Sequence, residues 1–126
     1  MSNIPADLYY TKDHEWVHVE GDIAIVGITD HAQSELGDIV FVNLPSPGDE
    51  IRSGENVATI EAVKTVAEVY APLSGVITEV NQALADSAAV INQDPYGQGW
   101  IVKMRIKKDL AELESLLRAE HYANLI

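Results

Sequence analysis

Lys64 is the residue whose surroundings point most directly to chemistry. Between Asp13 and Trp100 it is the only lysine, and Arg52 is the only arginine. An enzyme that must acylate one amine meets no nearby competitor in that stretch. A lysine amine rides on a flexible four-carbon stem, which suits it to reach into another protein's active site. Acylation would remove its charge. Apolar and β-branched residues precede it (Val57, Thr59, Ile60) and follow it (Val66, Val69). If the two flanks pair, the chain folds back near Val63-Lys64-Thr65 and Lys64 projects from a hairpin tip into water. No glycine or Asn-Gly pair marks the turn, which disfavours a tight primed turn. A type I turn tolerates these residues. On its own, a lysine in acidic surroundings is ordinarily just a solvated side chain.

A second pattern offers metal chemistry. His14-Glu15-Trp16-Val17-His18 matches H-E-x-x-H. That motif binds zinc only on a helix, where the two histidines lie one turn apart. Here Val17 and Val19 favour a strand, and the turn residues Glu20-Gly21-Asp22 follow at once. In a strand the histidines stand roughly 13 Å apart, too far to share one ion. The expectation is no metal site, with His31 and His121 structural or solvated. The chain has no cysteine, so thiolate ligands, disulfides and cysteine nucleophiles are absent. Any redox chemistry must come from an attached group. No serine shows a convincing His-Asp pairing, and no glycine-rich loop matches a phosphate cradle.

The elements that must position Lys64 read mostly as β. Glu15–Val19 and Ile23–Ile28 flank Glu20-Gly21-Asp22 as a hairpin signal. Ile39–Leu44 is a β-branched run that ends at Pro45-Ser46-Pro47-Gly48-Asp49. Further strands are predicted at Asn56–Glu61, Thr65–Tyr70, Gly75–Val80 and Trp100–Ile106, where faces alternate. Short strands at intervals of about ten residues indicate a sandwich or barrel. Asp30 with Gln33 resembles a capping box and Gly37 supplies a left-handed stop, giving a helix over Asp30–Leu36. Asp109 with Glu112 repeats the capping pattern. Leu110, Leu113 and Leu117 share a face with Leu116 beside them, so an amphipathic terminal helix is predicted over Asp109–Arg118.

At 126 residues the chain is expected to form a single domain, 1–126, around one core. Its net charge is −12, from 20 acids against 8 bases. Such a surface repels phosphate backbones and anionic lipid, so neither nucleic acid nor membrane is an expected partner. It suits docking on basic faces of partner enzymes, and equally suits simply keeping the protein in solution; charge alone does not separate the two. No apolar run approaches the roughly 18 residues of a membrane span. The first residues show no basic stretch and no apolar h-region, so a cytoplasmic, bacterial-type protein without a targeting segment is expected.

Taken together, the motifs resemble the glycine cleavage H-protein family. The family's lipoylation segment runs approximately Glu-Ser-Val-Lys-Ala, then an acid, then Tyr-Ala-Pro-hydrophobic-Ser-Gly. Glu61, Val63, Lys64, Tyr70, Ala71, Pro72, Ser74 and Gly75 stand in matching places. His14-Glu15-Trp16, Gly27-Ile28-Thr29-Asp30-His31-Ala32-Gln33, Gly37–Val42 with Pro45 and Gly48, Pro95-Tyr96 with Gly99-Trp100, and Glu112–Leu117 extend the likeness over nearly the whole chain. Ala62 replaces a common serine, Ala67-Glu68 replaces Ser-Asp, and Glu35 stands where some members carry histidine.

The resemblance implies an all-β dominated, lipoyl/biotinyl-like barrel-sandwich hybrid with short peripheral helices and an amphipathic C-terminal helix. It implies lipoic acid in amide linkage to Lys64 and no catalytic residues. Glu61 and Gly75 become candidates for recognition by lipoylating enzymes. Glu15, Glu68 and His31 become candidates to contact the loaded arm, the carboxylates by meeting an ammonium group. The implied partners are glycine decarboxylase (P-protein), which places an aminomethyl group on the arm, a tetrahydrofolate-dependent aminomethyltransferase (T-protein), which removes it, and dihydrolipoyl dehydrogenase (L-protein), which reoxidises the dithiol. Two neighbours of this reading differ in cargo or route. Biotin carriers usually carry Met-Lys-Met, which Val63-Lys64-Thr65 lacks. An H-like relay protein would share Lys64 but pass lipoyl groups to other carriers.

Overall fold

Short strands rich in apolar residues organise the chain, with the clearest alternation in Val102, Met104 and Ile106, which are buried, against Lys103 and Arg105, which are not. The computed structural model describes residues 3–107 and 110–126. Among them the strands are β1 (Tyr9–Tyr10), β2 (Glu15–Glu20), β3 (Ile23–Ile28), β4 (Ile39–Asn43), β5 (Glu50–Ile51), β6 (Asn56–Ala62), β7 (Val66–Tyr70), β8 (Gly75–Val80) and β9 (Val102–Ile106). The order β1-β2-β3-β9-β8-β5 makes one antiparallel sheet, and β4-β6-β7 makes a second. Val26 from β3, Ile77 from β8 and Met104 from β9 meet Val42, Ile60 and Val69 from β4, β6 and β7 in one buried cluster. This is the expected β architecture, with two sheets facing each other across a shared core.

The β2–β3 hairpin closes where the sequence signals it. Glu20 pairs with Ile23 across a two-residue loop, and Gly21 takes φ +61° at its first position. That left-handed step matches the twist of the flanking strands. Helix α1 (Asp30–Leu36) has the predicted bounds, but its cap is Thr29, whose Oγ1 accepts from Ala32 N–H. Asp30 instead takes a bond from Gln33 Nε2 at 2.7 Å. Gly37 ends α1 at φ 75°, ψ −151°, so its φ is positive as expected while its ψ is extended rather than helical. Two one-turn helices, α2 (Ala83–Asp86) and α3 (Val90–Gln93), were not foreseen.

The C-terminal region departs from the sequence reading. The predicted cap Asp109 lies outside the described residues. In place of one helix to Arg118, α4 (Leu110–Glu114) stops early and α5 (Ala119–Ala123) starts anew. Leu117 is drawn out of helical pairing by β1: its N–H and C=O each bond Tyr10 at 2.7 Å. Tyr122 of α5 then stacks on Tyr10 with ring centroids 4.9 Å apart, in a second small core with Leu8 and Trp16. No helix among the described residues is long and apolar enough to cross a membrane.

Candidate functional site

Lys64 occupies the connection between β6 and β7. Ala62 N–H donates to Thr65 C=O at 2.8 Å and closes the loop, so the two flanks do pair. Neither Val63 nor Lys64 needs a positive φ, which is why the turn forms without glycine. Val63 N–H donates to Asp38 C=O at 3.0 Å and ties the tip to the start of β4. The base of the tip is buried through Ala62 and Ile60. Lys64 itself is exposed, as are Val63 and Thr65. The result is an exposed amine on a braced loop.

The candidate acids differ in kind. Glu61 is exposed on β6, between Phe41 of β4 and Val66 of β7 in cross-strand register. Glu68 is exposed on β7 and accepts from Thr59 Oγ1 at 3.2 Å. Glu15, by contrast, is only 2% exposed. Its carboxylate accepts from Thr11 Oγ1 at 2.7 Å and from Tyr70 N–H at 3.0 Å. Burial pushes its pKa up to about 7, although both hydrogen bonds pull the other way. Desolvation wins because two neutral donors replace only part of a carboxylate's hydration. Glu15 lines a cavity of about 360 Å³ with Thr11, Asp13, Tyr70, Pro72 and Leu116.

His31 does not reach this cavity's lining. It is half-buried on α1, 3.8 Å from Glu35 and with its ring centroid 4.8 Å from that of His14. His14 adopts φ +69°, a region that histidine enters more readily than most residues. Its Nδ1 shares a 2.7 Å hydrogen bond with Tyr122 hydroxyl, which also bonds Thr29 Oγ1 at 2.8 Å. Burial, then His31, lowers the His14 pKa. This polar cluster locks α5 onto β2 and α1. Sequence reasoning missed it, because Tyr122 and His14 are 108 residues apart.

The H-E-x-x-H segment lies in and just before β2, as expected, and its histidines take separate partners. His18 Nε2 is 3.0 Å from Glu20, while His14 belongs to the Tyr122 cluster. Among the described residues no three metal-ligating side chains gather. Gly75 is not beside Lys64. Strand β7 runs away from the tip, and Gly75 comes after its far end, in β8 of the other sheet. A Cβ there would stand 2.4 Å from the backbone oxygen of Arg105, so close approach of β9 explains the glycine. Just before it, Ser74 donates from its N–H and hydroxyl to Glu112 of α4, at 3.0 and 2.7 Å.

Two antiparallel sheets around one core, with a hairpin presenting one solvated lysine, define a carrier of the barrel-sandwich class. The family model described as Glycine cleavage H-protein matches residues 8–126, and the chain belongs to that family. It is 52% identical to a glycine cleavage system H protein of Herpetosiphon aurantiacus over 124 residues, covering 98% of this chain and 96% of that one. It is 53% identical to the one of Rubrobacter xylanophilus over 123 residues, covering 98% and 94%. A crystal structure of a glycine cleavage system H protein from Mycobacterium marinum superposes with a TM-score of 0.86 at 42% identity, covering 96% and 97% of the two chains. The chain is thus a non-catalytic carrier component of the glycine cleavage system. The relay alternative gains no support from these relatives.

Proposed function

We propose that Lys64 carries a lipoyl group in amide linkage and swings it between the enzymes of glycine cleavage. The observation that carries this reading is the exposed amine on the braced β6–β7 tip. Attachment forms one N–C bond: Lys64 Nζ attacks the carbonyl of an activated lipoyl group, either a thioester or the acyl-phosphate anhydride formed with ATP, the thiol or AMP leaves, and the amine gives up a proton. When attached, the lipoyl group supplies a disulfide that accepts a one-carbon amine fragment from the decarboxylase and is left as a dithiol after the aminomethyltransferase. The dehydrogenase would restore the disulfide by taking two electrons and two protons from the dithiol and passing them to its own acceptor. The chain's own contribution is to raise the local concentration of the carried group near each partner.

The far side of β7 provides a place for the arm to rest. Strand β7 is an edge strand. From Lys64 to Tyr70 the chain covers at most roughly 20 Å at about 3.3 Å per residue. Lysine plus a lipoyl chain, about a dozen bonds, extends roughly 14 Å. An arm lying along this edge reaches Glu68 and points toward the cavity where Glu15 holds Tyr70 N–H, a gap that the carried group at its end narrows. Two carboxylates at those positions suit a cationic amine at the arm's end. His31 sits beside His14 and Glu35 and has a structural role.

Peptide-level mass spectrometry of the native protein tests the attachment. A lipoyl increment on the peptide containing Lys64 is expected. Lys64→Arg should keep the fold, lose the increment and abolish glycine-dependent turnover. Unaltered turnover in that variant defeats the reading.

A further inference from the structure

The braced tip stands in an apolar collar that the carrier function leaves unexplained. Val63 is 70% exposed, Val40 60%, Val66 57% and Phe41 49%. Eight large apolar residues are exposed among the described residues, and five of them, these four and Tyr70, belong to β4, β7 or the tip. Scattered single hydrophobics are ordinary on a protein surface, whereas a cluster marks a contact face. The strand geometry is arranged to produce it. In a regular strand Val40 and Phe41 would point to opposite faces. The register of β4 on β6 shifts between Ile39 and Phe41, and this bulge turns both side chains outward. Phe41, Glu61 and Val66 then form one cross-strand row beneath Lys64. Asp38, Glu61 and Glu68 rim the collar, all exposed. None of the three has a cationic partner among the ion pairs of the described residues.

Reach decides which partner must touch this face. Lys64 Nζ is five bonds from its Cα, roughly 6 Å away at full extension. An enzyme that makes a bond to that nitrogen must bring its catalytic groups within about 3.5 Å of it. Its surface therefore lies against the residues beside the tip. Enzymes that act on the far end of a loaded arm are spared this contact by the arm's extra length. Resting on the assignment of Lys64 as the attachment site, we propose that Val40, Phe41, Val63 and Val66, with their acidic rim, are the docking surface for the enzyme that acylates Lys64. That enzyme presents an apolar patch bordered by basic side chains. Apolar contact supplies holding strength, and the unpaired acids steer the encounter and fix its orientation.

The test uses the full unmodified chain, a lipoate–protein ligase, lipoate and ATP. Lipoyl transfer is followed by intact mass, and binding of the unmodified chain to the ligase by calorimetry. The paired change Phe41→Ser with Val66→Ser is expected to weaken binding and raise KM by about tenfold or more, with the melting temperature retained. Asp38→Asn with Glu61→Gln is expected to raise KM and flatten its salt dependence. Val76→Ser, an exposed apolar change on β8 of the other sheet, should leave both within about twofold. Once lipoylated by prolonged incubation, the Phe41→Ser, Val66→Ser chain should be turned over by dihydrolipoyl dehydrogenase within about twofold of the unaltered chain. Unchanged KM in the apolar pair, an equal loss in Val76→Ser, or an equal loss at the dehydrogenase overturns the proposal. Peptide mapping of the unaltered chain keeps the premise separate: a lipoyl group found away from Lys64 overturns the attachment site itself.

Discussion

Replacing Glu15 by glutamine removes one ionisable proton from the interior and leaves the shape almost unchanged. The wild-type carboxyl moves from 4.5 to about 7 on folding, because burial penalises its charged form. Below pH 4.5 it is protonated in both states and costs nothing. Between pH 4.5 and 7 the unfolded chain gives up the proton first, so folding stability falls as pH rises. Above pH 7 both states are ionised and the cost is constant, about 3 kcal/mol. Glutamine never ionises. Glu15→Gln should therefore match the wild type within about 1 kcal/mol at pH 4.5, where a protonated carboxyl and an amide offer similar hydrogen bonds. At pH 8 it should be more stable by about 2–3 kcal/mol. Other titrating groups are common to both chains and cancel in the difference. Urea denaturation of both proteins from pH 4.5 to 8.5 gives the comparison. A difference that stays flat across that range refutes the argument that burial raises this carboxyl. The same variant should weaken retention of an amine-bearing arm, because it lacks the carboxylate that a cation would pair with.

Two further substitutions separate structural roles from recognition. Gly75→Ala forces a Cβ against the Arg105 carbonyl and should cost about 2 kcal/mol or more in chemical denaturation, since backbone cannot yield as a side chain can. The folded fraction should still be lipoylated at the wild-type rate; a normal melting point with failed lipoylation would make Gly75 a recognition residue instead. Tyr122→Phe deletes the hydroxyl that joins His14 and Thr29 and should lower stability by about 1–2 kcal/mol. Hydrogen exchange should quicken first at α5, and uniform quickening across both sheets would contradict a local anchoring role.

Most of the β framework was legible because its signal is local. Ile23–Ile28 and Gly75–Val80 were bounded as observed, since Gly21 and the alternation of Val76, Thr78 and Val80 are written in adjacent residues. The hairpin at Lys64 could be placed from its flanks alone. What escaped depends on distant chain. The terminal helix breaks because Tyr10 captures the backbone of Leu117, and no leucine spacing reveals that. Strands β1 and β5 have two residues each, too few for a period to show. The collar was hidden for a different reason: Ile39–Leu44 reads only as one β-branched run, and the bulge that exposes Val40 and Phe41 has no local signal in it. Glu15 could be named from family likeness, but that it is buried while Glu68 is exposed follows from sheet packing.

The contrast between tip and arm explains why the two acids nearest the proposed route are so unlike. A carrier must let go of its cargo as readily as it holds it. Rigidity belongs to the tip, where Val63 is tied to Asp38 and Ala62 is buried; motion belongs to the rotatable bonds beyond Cα. An exposed carboxylate such as Glu68 holds an amine weakly, because water competes for both partners. A buried one such as Glu15 holds it more strongly, since a cation brought beside it relieves the desolvation that raised its pKa. At pH 7 that carboxyl is about half protonated when empty, so seating a cationic amine there must expel about half a proton per site. Raising the pH should then tighten retention of the loaded arm up to about pH 8 and no further, until the amine itself deprotonates. Calorimetry of arm loading in buffers of different ionisation enthalpy measures that proton directly. Zero proton release at pH 7 would mean that the cation settles elsewhere on the surface.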